Sequence, residues 1–178
     1  MRRLRFRAQQ KEEDVSTGDG AIILMPGVGR TLGLPDRGAT VTLKVTGDDS
    51  GSRLAIVESA PAPGAPGLAM HRHHRSDEAL YVLDGTVTVR VGDQAVEAPP
   101  GAFVFIPRGT AHMFRNPGPE PARVLVIFVP AGVERFLLET AGVYAAPGKQ
   151  PDPATLHEIQ MKHDTELVRD HPRRAPGS

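Results

Sequence analysis

The sequence predicts an all-β fold, an antiparallel sandwich or barrel with helices only at its C-terminal end. Three observations predict it. Glycine (19) and proline (17) exceed a fifth of the 178 residues, yet they punctuate short segments and form no low-complexity tract. From about residue 38 to 130 those segments alternate apolar and polar side chains with the period of two that strands require. Helical spacing appears only after residue 131.

Taken in order, residues 1–20 read as a flexible N-terminal arm. "MRRLRFRAQQKEED" has the positive charge of a signal peptide but no apolar region behind it; a solvated terminus suits it better than a nucleic-acid arm. "AIILM" (21–25) opens the barrel region and is apolar enough to add an edge strand to a neighbouring copy. In "TVTLKVT" (40–46), Val41, Leu43 and Val45 share a face, and "GDDSG" closes the run with turn chemistry. "RLAIVES" (53–59) is a further strand, and "APAPGAPG" (60–67) a loop. "LAMHRH", "EALYVL", "TVTVRV", "QAVEA", "FVFIP", "AHMFR" and "RVLVIFV" follow as strands, making about nine in all. Asp84-Gly85 between two of them signals a tight hairpin.

The barrel is therefore assigned to residues 21–131 and a helical part to 132–165. "GVERFLLETAG" (132–142) sets Val133, Phe136, Leu137 and Thr140 at helical spacing, with Gly142 suited to a C-cap. "DPATLHEIQMKHD" starts with Asp152 as N-cap and Pro153 at the first helical position, and aligns Leu156, Ile159 and His163. Residues 166–178 read as a disordered tail.

Composition narrows the function classes. The length suits one domain. Lys plus Arg equals Asp plus Glu at 21 each, so no net field calls for nucleic acid or an anionic membrane. No run approaches the ~20 apolar residues of a membrane helix. There is no cysteine, which excludes disulfides, thiolate metal sites and thiol nucleophiles together. The expectation is a cytoplasmic protein that acts on a small molecule, with any metal held by nitrogen and oxygen.

Histidines 71, 73 and 74 crowd ahead of Asp77 and Glu78. On a strand, His71 and His73 share a face while Arg72 and His74 take the other. Glu78 shares a face with Leu80 and Val82, so a core-facing Leu80 and Val82 bring Glu78 inside. A carboxylate there is costly unless a cation compensates it. His112, after a Pro-Arg-Gly turn and on the side of Phe114, offers a third imidazole. Such a nitrogen-rich mixed set suits one divalent transition metal ion: iron, manganese, nickel, copper, cobalt or zinc. His74 reads as a rim residue and Asp77 as a turn residue. His157, His163 and His171 read as solvated, and Leu80, Val82, Val104, Ile106 and Phe114 as barrel core or pocket wall.

These residues resemble the two motifs of the cupin superfamily. The second, G-x5-P-x-G-x2-H-x3-N, matches at Gly101, Pro107, Gly109, His112 and Asn116, the chain's only asparagine. The first matches at His71, His73, Glu78 and Gly85 but departs at its leading glycine, where Ala65 stands between Gly64 and Gly67. Gly85, Gly101, Gly109 and Asn116 are expected to form turns in left-handed conformations. The resemblance implies a jelly-roll-like β-barrel, the metal ligands His71, His73, Glu78 and His112, and a homodimer. The wider pattern resembles single-domain cupins of the quercetin 2,3-dioxygenase-like group. That narrower likeness implies a metal-dependent dioxygenase acting on a small phenolic or enolic substrate, with Glu78 both near the metal and accepting the substrate proton. A metal-dependent isomerase, cyclase or lyase, or a non-catalytic small-molecule-binding cupin, is the alternative on the same barrel.

Overall fold

The computed structural model describes residues 14–16, 20–146 and 151–168. The Arg-rich stretch 1–13, His171 and the tail beyond residue 168 therefore lie outside the described residues. Strands β1 (Asp14–Ser16) and β2 (Ile22–Leu24) form a two-stranded sheet, so the "AIILM" segment pairs within its own chain, at Ile22, Ile23 and Leu24.

Two larger antiparallel sheets build the barrel. The first takes β3 (Arg30–Leu34), β4 (Ala39–Val45), β5 (Ala55–Pro61), β7 (Asp77–Asp84), β10 (Phe103–Ile106) and β12 (Arg123–Val129), in the order β10-β7-β12-β5-β4-β3. The second takes β6 (His71–Arg72), β8 (Val87–Val91), β9 (Gln94–Ala98), β11 (His112–Arg115) and β13 (Glu166–Leu167), in the order β13-β6-β11-β8-β9. Alternation decides which side chains meet inside. Leu80 and Val82 of β7, Val124, Val126 and Phe128 of β12, and Val87 and Val89 of β8 are buried in one shared core, while Tyr81, Phe103 and Phe105 stay exposed. Burying one such side chain contributes roughly 1.5–3 kcal/mol, so slipping β7 by one residue would exchange its whole core set for the exposed one.

Helix α2 (Val133–Ala145) lays Val133, Phe136, Leu137 and Ala141 against this core and packs on β3, β5 and α3 (Pro153–Lys162). At the start of α3 the Asp152 carboxylate accepts from the Thr155 backbone N–H, as its N-cap position predicts.

Five local expectations are corrected. The Asp84-Gly85 signal is not a hairpin: β7 and β8 lie in different sheets, and Gly85 (φ 68°) is a corner. A Cβ there would stand 2.4 Å from the Pro121 carbonyl oxygen, so close backbone approach joins positive φ in demanding glycine. "GDDSG" is helix α1 (Gly47–Ser50), closed by a reciprocal capping box between Thr46 and Asp49. Gly142 does not end α2, which continues to Ala145 because Ala141 and Val143 still pack on the core. The tail expected from residue 166 contains β13, since Glu166 pairs with Arg72 and Leu167 with His71. β5 also runs through Ala60 to Pro61, into the expected loop, with proline at the strand's last position, where its missing N–H is tolerated.

Candidate metal centre

His71 on β6 stands directly across the ladder from His112 on β11. Glu78, near the start of β7, comes from the other sheet, and His73 from the segment between β6 and β7. The four residues come together, although the strand expected over 68–73 is only His71–Arg72 and His73 lies just beyond its end. All are buried, and one donor atom from each lies within 4.8 Å of the others. The imidazole centroids of His71 are 5.0 Å from His73 and 4.3 Å from His112, and those of His73 and His112 are 5.4 Å apart.

The backbone fixes which nitrogen each ring offers. Nδ1 of His71 donates to the Ala69 carbonyl at 2.8 Å, Nδ1 of His73 to the Asp164 carbonyl at 3.0 Å, and Nδ1 of His112 to the Thr110 carbonyl at 2.9 Å. A carbonyl only accepts, so each Nδ1 carries a proton, and Nε2 is the atom that each ring, in its neutral form, offers as a ligand. Such outer hydrogen bonds are how metal-binding imidazoles are held in orientation.

Glu78 adds the negative charge. Its Oε2 is 2.9 Å from Nε2 of His112 and 3.3 Å from Nε2 of His73. Burial alone would push the Glu78 carboxyl up, but hydrogen bonds from His112 and His73 overcome it and hold the group below the usual carboxylate range. Burial would lower His112, and the bond and charge of Glu78 reverse that, raising it. His71 is pushed down to about 3, first by burial and then by repulsion from His112 and His73. With Nδ1 already committed, His112 can donate to Glu78 only as imidazolium. A buried carboxylate therefore sits among three imidazoles whose Nε2 sites converge, and one cation satisfies all four. The donor set fits a divalent transition metal held by nitrogen and oxygen.

Above the cluster lies a cavity of about 80 Å³, bounded by Leu34, Val41, Phe114, Val126, Phe128 and Phe136 among others, and by His71, His73 and Glu78 at its floor. Phe114 and Phe128 are thus pocket wall as well as core, whereas Leu80, Val82 and Ile106 are core alone.

The neighbours divide as follows. His74 is exposed and Nε2 donates to Glu166 Oε2 at 2.6 Å, the rim position expected of it. Asp77 is no turn residue: it begins β7 and accepts from the Arg108 backbone N–H at 2.9 Å, Nε at 3.0 Å and Nη2 at 2.8 Å. Those hydrogen bonds hold its carboxyl down at about 2 and anchor the turn leading to His112. Asn116 is wholly buried and not left-handed. Its Nδ2 donates to the Pro61 and Glu120 carbonyls, and its Oδ1 accepts from the Gly118 N–H, tying the segment between β11 and β12 to the end of β5. Gly101 (φ 87°) and Gly109 (φ 80°) are left-handed as expected. His163 is not solvated but donates from Nε2 to Glu139, while His157 is exposed.

Asp164 is a supporting residue that the sequence did not announce. Its carbonyl orients His73, and its carboxylate accepts from the backbone N–H of His74 at 3.2 Å and of Arg75 at 2.8 Å. It does so from a positive φ of 60°. Asp164→Gly keeps that conformation accessible while removing the carboxylate anchor. The expected result is metal affinity lowered roughly 10-fold, the low end for loss of such supporting contacts, with melting of the metal-free protein little changed; competitive metal titration reads it, and unchanged affinity would show that the carboxylate does not position His73.

Comparison with known proteins agrees with this geometry. Residues 58–128, which include three of the four clustered residues' strands and all four residues, match the Cupin_2 family, described as a cupin domain. Residues 58–128 of the chain thus form a cupin domain. This cupin is 34% identical over 87 residues to tetracenomycin polyketide synthase protein TcmJ of Streptomyces glaucescens, covering 49% of the present chain and 56% of TcmJ. It is 32% identical over 60 residues to quercetin 2,3-dioxygenase of Bacillus subtilis, covering 34% of the chain and 18% of the dioxygenase. The polyketide cyclase RemF from Streptomyces resistomycificus shares the fold at a TM-score of 0.53 and 23% identity, over 60% of this cupin and 78% of RemF. The chain spans less than two thirds of either curated relative. The likeness to the dioxygenase thus reaches a minor part of that protein and stands beside a relative named for polyketide synthesis.

Proposed function

We propose that this cupin is a metal-dependent enzyme that takes a small phenolic or enolic substrate through oxygen and moves its proton with Glu78. The observation supporting this reading is the commitment of all three Nδ1 protons to backbone carbonyls, which leaves three Nε2 atoms and the Glu78 carboxylate converging beside an apolar cavity. When bound there, a divalent metal supplies Lewis acidity that lowers the pKa of a coordinated hydroxyl. His71, His73 and His112 hold the cation, and their carbonyl partners keep the rings from turning. Glu78 Oε2, already within 3.3 Å of two imidazoles, accepts the substrate proton. Val41, Phe114, Val126 and Phe128 exclude water from that transfer.

Quercetinase-like dioxygenation is the finer form of this reading and requires molecular oxygen as co-reactant; isomerisation, cyclisation or lyase chemistry requires only the proton transfer. Stoichiometric metal in protein purified without chelator, with turnover of a phenol or enediol, supports the enzyme. Glu78→Gln is expected to lower kcat by 10²- to 10⁴-fold, the range for loss of a general base. Full activity in that variant would remove Glu78 from the proton transfer. Turnover unchanged without oxygen would exclude the dioxygenase, and metal with no turnover across the panel would leave a binding protein.

A further inference from the structure

The cavity above the histidines contains one charged group that the proton transfer does not use. Arg37 lies in the 3-10 turn Pro35–Arg37 between β3 and β4 and is buried, 7% exposed. Its guanidinium lines the same cavity as His71, His73 and Glu78. The turn is held by the Gly38 N–H donating to the Pro35 carbonyl, with Gly38 left-handed at φ 62°. Two contacts orient the side chain: Nε donates to Asp36 Oδ2 at 3.3 Å, and Cζ lies 4.7 Å from the centroid of the Phe136 ring. Among the described residues no hydrogen-bond acceptor meets either Nη.

A buried guanidinium with four of its five N–H donors without an acceptor among the described residues is an expensive wall for an apolar pocket. A methionine or leucine would close this cavity at lower cost if packing were the purpose. Burial lowers the guanidinium's pKa against the opposing pull of Asp36, so the charge lacks full compensation. The remaining walls limit what can compensate it. Apart from Arg37 and the site residues, Ser59 is the only side chain with a hydrogen-bonding group around the cavity. One guanidinium fork and one hydroxyl match the charge and planar geometry of a carboxylate.

We propose that Arg37 is a specificity-determining residue that receives a carboxylate on the substrate, so that the substrate spans the cavity from the metal-bound oxygen to the Arg37 fork. The inference rests on the proposed function for the oxygen end of the substrate; the arginine end is independent of which reaction follows. The substrate class is then a small hydroxy- or oxo-carboxylate compact enough for a cavity of about 80 Å³. The 3-10 turn thereby acts as the selectivity element of the barrel mouth.

The test measures binding of a panel of two- to six-carbon hydroxy- and oxo-carboxylates and their matched neutral amides by calorimetry, to metal-free and to cobalt(II)-loaded protein. The variants are Arg37→Met and Arg37→Gln, with metal content measured for each. Wild-type protein is expected to bind at least one carboxylate tenfold or more tightly than its amide, in both metal states. In Arg37→Met that preference falls to parity while metal content and amide affinity stay within threefold of wild type. Arg37→Gln is expected to behave likewise and serves where the methionine variant does not fold. A carboxylate preference that survives both variants overturns the proposal, as does the absence of any carboxylate bound better than its amide. Failure of the metal reading has a different signature: no stoichiometric metal in wild type, with the Arg37-dependent preference intact in metal-free protein.

Discussion

His112→Ala is expected to leave purification without metal, where wild-type protein carries one equivalent. The reasoning starts from the partners His112 has. Its Nε2 is the closest nitrogen to Glu78 Oε2, at 2.9 Å, and both side chains are almost wholly buried. Truncation removes one of three imidazole ligands and at the same time leaves the Glu78 carboxylate with only His73 at 3.3 Å. Breaking a buried pair on one side costs about 3–5 kcal/mol, because an uncompensated charge remains. The variant is thus destabilised even when neither protein holds metal. Metal at a hundredfold excess over its Kd adds about 2.7 kcal/mol to wild-type stability, which for a chain of this size is a rise of roughly 5–10 °C in melting temperature. His112→Ala should show none of that rise. Elemental analysis and melting curves with and without added metal read both effects. One equivalent of metal retained by the variant would break the four-residue centre.

The parts of the site legible in the sequence were those set by periodicity. Parity put Glu78 with Leu80 and Val82, because a strand repeats every two residues regardless of what it packs against, whereas His73, expected beside His71 by the same rule, lies beyond the end of β6. Other features depend on where the chain goes next. Asp84-Gly85 carries the local chemistry of a hairpin, yet whether β8 pairs with β7 or crosses to the other sheet depends on strands well beyond it in the chain, β11 for β8 and β12 for β7. Asp164 was illegible for a related reason: its contact with His73 uses a backbone carbonyl, which every residue possesses. Arg37 sits in "LPDRG", where nothing local marks the arginine as buried. Only the packing of α2, with Phe136 beneath the guanidinium, makes it a buried charge. The dioxygenase likeness came from the motif region, and that region builds the metal cluster without specifying a reaction.

The departure at Ala65 leads to the second large effect, at Gly67. The motif reserves glycine for the approach to the first histidine, and this chain meets the requirement two residues later. Ala65 is buried without a positive φ, whereas Gly67 has φ 69° and passes so near β11 that an added Cβ would stand 2.0 Å from the Phe114 carbonyl oxygen. Gly67→Ala combines left-handed strain of about 1–2 kcal/mol with a collision against main chain that cannot rotate away. The expected cost is roughly 3 kcal/mol or more, a fall of about 6–12 °C in melting temperature for a chain of this size. Gly92→Ala separates the two contributions: Gly92 has φ 56°, and nothing lies within 4 Å of its added Cβ, so it bears the strain alone and should cost about 1–2 kcal/mol. Equal melting temperatures for the two variants would mean that the close approach to Phe114 is not obligatory. The collision also has a functional consequence that the control lacks. Phe114 is two residues from His112 on β11, so a strand displaced to admit the new methyl moves the imidazole that contacts Glu78. Gly67→Ala should therefore weaken metal binding as well as folding, and Gly92→Ala should leave metal affinity as it is.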